Sequence, residues 1–295
     1  MKLEGVIIPL ITPLNADETL DEPGLERAIE YVLDGGADGV FVLGSSGEFP
    51  NLSMPTKEQL IKKAKAIIKG RVPLLVGIAR AGTQPTIEEG QHLAQFGADA
   101  LVSLPPYYFT HSQAELTTHF LTIANTLQMP LVVYNIPQFV KYVIEPDTVA
   151  RLAENPYIIG IKNTARDMDA FDKLLVVRDT YLGSFRVSQG DLPNAAECLL
   201  RGADSITLGV ASVAPHLCKQ MYTAAKSGDR VTAERINKKL SHVDPVGTSS
   251  SWFASLKMQC SLLGLCQPVV AKPFEQPGQA DIDLLRQKLV DLKLL

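Results

Sequence analysis

The stretch "GADGVFVLG", residues 36–44, is a turn followed at once by a run of aliphatic and aromatic residues. The run does not alternate apolar with polar. It reads as a strand buried on both faces, as in a parallel sheet, rather than one with a wet face. The same "GAD" turn returns at 97–99 and 202–204, each time just before another such run. Glycine there suits the left-handed residue that ends a helix, with the strand following directly.

Outward from this stretch, short aliphatic runs recur: "GVIIPLIT" (5–12), "GVFVLG" (39–44), "PLLVGI" (73–78), "DALVSLP" (99–105), "PLVVYN" (130–135), "YIIGIK" (157–162), "FRVSQG" (185–190) and "DSITLG" (204–209). Amphipathic segments long enough for helices lie between them, such as 22–35, 56–69, 84–96, 112–127 and 191–201. A strand–helix unit repeated eight times predicts a (β/α)8 TIM barrel. The competing architecture is a doubly wound open sheet. It usually carries a Gly-rich dinucleotide fingerprint after its first strand, where this chain has "PLNADE". One helix over 215–227 would complete the barrel. Segments 229–242, 249–264 and 279–293 predict three further helices, joined by loops that Pro and Gly break. The expected organisation is a catalytic barrel over 1–228 with a C-terminal helical extension, 229–295, packed on it.

Bulk properties narrow the function classes. A chain of 295 residues with 46% hydrophobic and 20% charged residues describes a soluble globular protein with ample core. A net charge of −4, with the charges scattered, gives no electrostatic reason to expect nucleic acid or an acidic membrane as partner. The apolar start of the chain is broken by Pro9 and Pro13 and lacks a small-residue cleavage site, so it does not read as a signal peptide. No apolar run approaches the length of a bilayer span. Cys198, Cys218, Cys260 and Cys266 form no C-x-x-C pair and have no His at zinc-ligand spacing. They read as reduced thiols of a cytoplasmic protein, and no metal site is expected.

In such barrels chemistry sits at the C-terminal ends of the strands and in the loops that follow. The second run ends in "GSSGE" (44–48), the fourth in "PPYY" (105–108), the fifth in "YNIP" (134–137) and the sixth in Lys162. The seventh leads into "SQGD" (188–191), with Gly190, and the eighth into "GVAS" (209–212), with Val210. A lysine ending an aliphatic strand is either a solvated residue just past the strand or an amine held in a pocket. Lys162 and Tyr134 close adjacent strands at one level, which favours the pocket. Desolvation and neighbouring dipoles there can pull an amine from about 10.4 towards roughly 7–8, the range useful for attack on a carbonyl. Such an amine forms an imine with a ketone, and a nearby phenol can shuttle the protons. Ser45, Ser46 and Gly47 offer hydroxyls and backbone N–H groups suited to a small carboxylate. The plainer readings are a packing tyrosine, an ordinary Gly-Ser loop, and Glu48 as a cap for the segment that follows.

The motifs "GSSGEFPNLS", "PPYY", "YNIP" and "GIKNT", at their spacing here, resemble the class I Schiff-base aldolases that include dihydrodipicolinate synthase and N-acetylneuraminate lyase. The resemblance covers essentially the whole chain. It implies a (β/α)8 barrel, commonly a homotetramer, that uses or releases pyruvate with no metal or organic cofactor. It implies Lys162 as the imine-forming lysine, Tyr134 as the proton shuttle, and Ser45 with Ser46 as the carboxylate-binding pair. It also implies that Tyr108 reaches into a neighbouring subunit's site, and that Pro9 belongs to the barrel floor. Dihydrodipicolinate synthases usually have an Arg for the aldehyde's carboxylate where this chain has Phe139; sialic-acid lyases typically have a Glu where it has Leu192. "GEFPNL" is similar to the branch that cleaves 2-keto-3-deoxy sugar acids or 4-hydroxy-2-oxoglutarate. The expected function is reversible cleavage of a 2-keto-3-deoxy acid to pyruvate and an aldehyde. Phe139 offers no donor, so a neutral hydroxyaldehyde is the expected partner, with Gln138 as a candidate donor and Lys141 as a cation that could turn inward. The alternatives are 4-hydroxy-tetrahydrodipicolinate synthase, N-acetylneuraminate lyase, a dehydratase or deaminase using the same imine, and a keto-acid sensor without turnover.

Overall fold

The computed structural model describes residues 3–181 and 183–295. Eight parallel strands close into one barrel in chain order. They are β1 (Gly5–Pro9), β2 (Gly39–Val42), β3 (Leu74–Gly77), β4 (Ala100–Ser103), β5 (Leu131–Asn135), β6 (Ile158–Asn163), β7 (Arg186–Gln189) and β8 (Ser205–Ile206). Strand β1 pairs with both β2 and β8, so no edge is left open. This is the expected TIM barrel. Strands β2 to β5 are buried along their whole length, which is why they read as continuous aliphatic runs. Most strands are shorter than their runs, while β6 is as long as its run and extends one residue past it, to Asn163. The run "GVFVLG" stops pairing at Val42, and Leu43 already takes φ +58°.

The "GAD" turns explain how the opposite end of the barrel is stitched. Gly36, Gly97 and Gly202 take φ of +88°, +111° and +120°, the left-handed region that favours glycine. The aspartate that ends each turn accepts an N–H at the start of the preceding strand, from its first or second residue. Asp38 takes Val6 N at 2.8 Å, Asp99 takes Leu74 N at 2.8 Å and Asp204 takes Val187 N at 2.9 Å. Each motif thus ends a helix, turns the chain and satisfies a donor on the neighbouring strand.

The helices between strands are α1 (Glu22–Asp34), α2 (Met54–Ile68), α3 (Thr83–Ala94), α4 (Gln113–Leu127), α5 (Pro137–Val140), α6 (Pro146–Ala153), α7 (Met168–Thr180), α8 (Ala195–Arg201) and α9 (Pro215–Lys226). Several starts are set by side-chain caps: Asp21 on α1, Ser53 on α2, and a Ser112–Glu115 capping box on α4. Beyond the barrel lie α10 (Arg230–Val243), α11 (Trp252–Leu262) and α12 (Gln279–Asp291). Helix α10 packs on α9 and α8, and α12 on α11 and α10. Helix α11 touches the loops after β2 and β8, at the mouth. No helix among the described residues is long and apolar enough to cross a membrane.

Candidate active site

The site is built around Lys162, one residue from the end of β6. Its register partner on β5 is Tyr134 and on β7 is Ser188. Lys162 is 6% exposed. Its Nζ lies 4.0 Å from the centroid of the Tyr134 ring and 5.4 Å from that of Phe41. Burial pulls the amine down to about 7, with no charged neighbour contributing. More of it is therefore unprotonated at neutral pH than of an ordinary lysine, which is almost wholly charged there. Gly190 makes room for the lysine: a Cβ there would stand 2.9 Å from Lys162 Cε and 2.5 Å from Thr164 Cγ2.

Tyr134 is also buried, and burial holds its phenol proton more tightly than usual. The neighbouring Ser45 and Thr164 hydroxyls partly offset that effect. Ser45 and Ser46 open a 3₁₀ turn, Ser45–Gly47. As its first residues they have N–H groups without partners inside the turn. The N–H of Gly47 is bonded to Gly44 O at 3.0 Å, and its carbonyl accepts from Thr12 Oγ1 at 2.8 Å.

A cavity of about 480 Å³ opens at this mouth. It brings together Ser45, Ser46, Tyr134, Lys162, Gly190 and Val210, with Phe139 on its rim, 55% exposed and tilted against Phe253 with ring centroids 5.7 Å apart. Two of the residues expected to bind or act do not line it. Gly47 lies behind the turn because both its backbone groups are engaged within the protein. Tyr108 is 89% exposed at φ +88° and packs edge-on against Phe109, so it points away from its own chain's cavity. Pro9, expected in the barrel floor, ends β1 on the mouth side and lines the cavity. Gln138 lines the cavity and donates its amide to Thr164 O at 2.6 Å, which engages one of its two donor hydrogens. Lys141 stays exposed outside the cavity.

Several cavity residues escaped the reading of strand ends. Arg166 stands in the loop after β6 and pairs through Nε with Asp191 Oδ1 at 3.0 Å. Asp191 is buried and also accepts from Asn194 Nδ2 at 3.1 Å. The extension adds Ser241, Asp244, Val246, Trp252 and Phe253. Burial raises the Asp244 carboxyl above its usual range, and the Trp252 indole N–H donates to it at 2.9 Å. Arg166 and Asp191 carried a signal, since they stand in the two loops that flank Lys162. The extension residues carried none, because no strand-end rule reaches them.

The dihydrodipicolinate synthetase family model matches residues 2–289. The chain belongs to that family. Among its relatives, the probable 2-dehydro-3-deoxy-D-pentonate aldolase YjhH of Escherichia coli is 30% identical over 93% of this chain and 94% of its own length. The 4-hydroxy-tetrahydrodipicolinate synthase of Methylococcus capsulatus is 33% identical over 81% of each chain. The crystal structure of YagE, a prophage protein of the dihydrodipicolinic acid synthase family from Escherichia coli, was solved in complex with pyruvate. It superposes with a TM-score of 0.93 at 28% identity, covering 99% of both chains.

Proposed function

We propose that the chain is a lyase that forms an imine between Lys162 and the ketone of a 2-keto-3-deoxy acid, and cleaves that acid reversibly to pyruvate and an aldehyde. The observation that carries this reading is a buried lysine amine, brought down to about 7 by burial with no counter-ion, stacked 4.0 Å over the Tyr134 ring. The free amine adds to the C2 carbonyl, and Tyr134 passes protons as water leaves. The protonated imine then draws electrons from the C3–C4 bond as the C4 hydroxyl gives up its proton. The aldehyde departs, the enamine takes a proton at C3, and water releases pyruvate from Lys162. In this account Ser46 holds the C1 carboxylate. Ser45 serves the reaction through Tyr134, whose phenol it neighbours.

The choice of aldehyde rests on the rim. Phe139 gives apolar area and no donor, and one donor hydrogen of Gln138 is engaged by Thr164. Asp191 and Asp244 can accept from hydroxyls of a sugar-like aldehyde. The rim's cation among the described residues, Arg166, is already paired with Asp191. A second anion would need a partner, because a buried unpaired charge costs several kcal/mol. The relative named as a pentonate aldolase supports this reading. Arg166 favours one competing reading. If it left Asp191 for a substrate carboxylate, aspartate semialdehyde would fit, as the relatives named synthases suggest. The test is pyruvate release from a panel of 2-keto-3-deoxy acids, with kcat/KM for condensation of pyruvate with glyceraldehyde and with aspartate semialdehyde. Glyceraldehyde is expected to win. A preference of tenfold or more for the semialdehyde, about 1.4 kcal/mol in the transition state, hands the function to the synthase reading.

A further inference from the structure

The turn that carries Ser45 and Ser46 has a second face. It ends in Glu48, at φ +56° and ψ +31°. A side chain other than glycine keeps that left-handed conformation only where its surroundings hold it. What holds it lies in the seam between barrel and extension. Lys257 of α11 forms an ion pair with one Glu48 carboxylate oxygen, both side chains being 0% exposed. The backbone N–H of Ala271 donates to the other oxygen at 2.7 Å. Lys257 also donates to Val269 O at 2.9 Å. One carboxylate therefore joins α11 and the loop before α12 to the turn.

The same helix meets the turn from the cavity side. A Cβ placed on Gly209 would stand 2.3 Å from the Trp252 ring and 3.1 Å from Ser46 Oγ, so ring and hydroxyl converge on that glycine. Neither Glu48 nor Lys257 lines the main cavity. Packing alone does not call for such a pair, since well-packed apolar residues are often as stable as a buried ion pair. The pair contributes a fixed geometry directly behind the two serine hydroxyls.

We propose that Glu48 and Lys257 form a strut through which the C-terminal extension fixes the Ser46 hydroxyl, making both of them positioning residues for binding the keto-acid carboxylate. This rests on the reading of the mouth as a keto-acid site. The strut couples two regions that the chain order separates: the extension is part of the binding apparatus and not only a cover on the barrel.

The test is the double variant Glu48→Gln/Lys257→Met, which removes both charges at nearly constant length. KM for pyruvate is expected to rise about tenfold or more while kcat at saturation stays within about threefold, the signature of lost binding and not of lost chemistry. The rise should vanish in a Ser46→Ala background, where there is no hydroxyl left to position. An unchanged KM with only a lower melting temperature overturns the proposal, as does an equal rise in the Ser46→Ala background. If the double variant does not fold, the wild-type protein still decides. Coupling is reciprocal, so saturating pyruvate should slow hydrogen exchange at the Ala271 N–H about threefold or more, and no change there overturns the strut. Borohydride trapping of pyruvate on the wild type separates the two readings. If an adduct forms and the effects above are absent, only the strut fails; if none forms, the keto-acid site fails and the strut with it.

Discussion

Two buried lysines occupy opposite sides of one short turn, and their surroundings differ in one respect. Lys257, in the seam, meets the Glu48 carboxylate and a backbone carbonyl. Lys162, in the mouth, meets two aromatic rings and, among the described residues, no carboxylate; burial brings it down to about 7. A third buried lysine, Lys57 on α2, also has a counter-ion, with Glu89 2.8 Å away; burial still lowers it, but there the carboxylate opposes the shift. Burial by itself does not make a nucleophile. The imine chemistry proposed for Lys162 rests on burial without a counter-ion, which leaves desolvation of the ammonium unopposed.

The comparison breaks at its strongest point if Lys162 is dispensable. Lys162→Ala is expected to lose more than about 10⁴-fold in kcat/KM, above what an acid–base group contributes. Residual activity within tenfold of the wild type would make the mouth lysine no different from the seam lysine. Tyr134→Phe is expected to lose about 10²–10⁴-fold while pyruvate still binds. A loss below about threefold would reduce Tyr134 to packing.

The next effect sharpens the contrast by making the mouth resemble the seam. Ser188 is the register partner of Lys162 on β7. Ser188→Asp would set a carboxylate beside the amine, and an opposite charge within about 4–6 Å moves a pKa by about 1–3 units. In the wild type kcat/KM should rise with pH through about 7 as Lys162 loses its proton. In Ser188→Asp that limb should move up by about one unit or more. Coincident profiles would show that the missing counter-ion is not what sets the amine.

A smaller effect is read in stability. The Lys162 amine titrates near 7 in the folded chain and near about 10.4 unfolded. Between those values the unfolded chain holds the extra proton, so unfolding free energy rises with pH across that window. Below about 7 the folded chain must carry a buried ammonium, and that destabilisation is present in full. Lys162→Met should remove this slope and raise the melting temperature at pH 7, measured by thermal melts from pH 7 to 10. A variant with the wild-type slope would contradict the assignment. Least in size, Tyr108→Ala should lower kcat by about threefold to tenfold and weaken self-association in sedimentation. Its 89% exposure beside Phe109 suits a residue covered by a second copy. A fully active monomer would refute that role.

The barrel was legible because its parallel strands are buried on both faces, and continuous runs bounded by "GAD" turns are compatible with few other folds. Lys162 and Tyr134 were legible for the same reason: polar groups ending such runs stand out. The fate of Glu48 was not. As a residue after a Gly-Ser turn it looked like a local cap, and only the fold shows its partner more than 200 positions away, at Lys257. Gly47 shows the reverse, since nothing in a linear chain says that the Thr12 hydroxyl engages its carbonyl. Local pattern reports strand ends well. It is silent on which polar groups the rest of the chain satisfies.

The central claim is a covalent imine at Lys162, and borohydride reduction in the presence of pyruvate tests it most directly. Intact-protein and peptide mass spectrometry should find one reduced pyruvyl adduct per chain, on the peptide that contains Lys162, and none on Lys162→Ala. An unmodified wild-type chain, or an equal adduct on Lys162→Ala, would contradict the account.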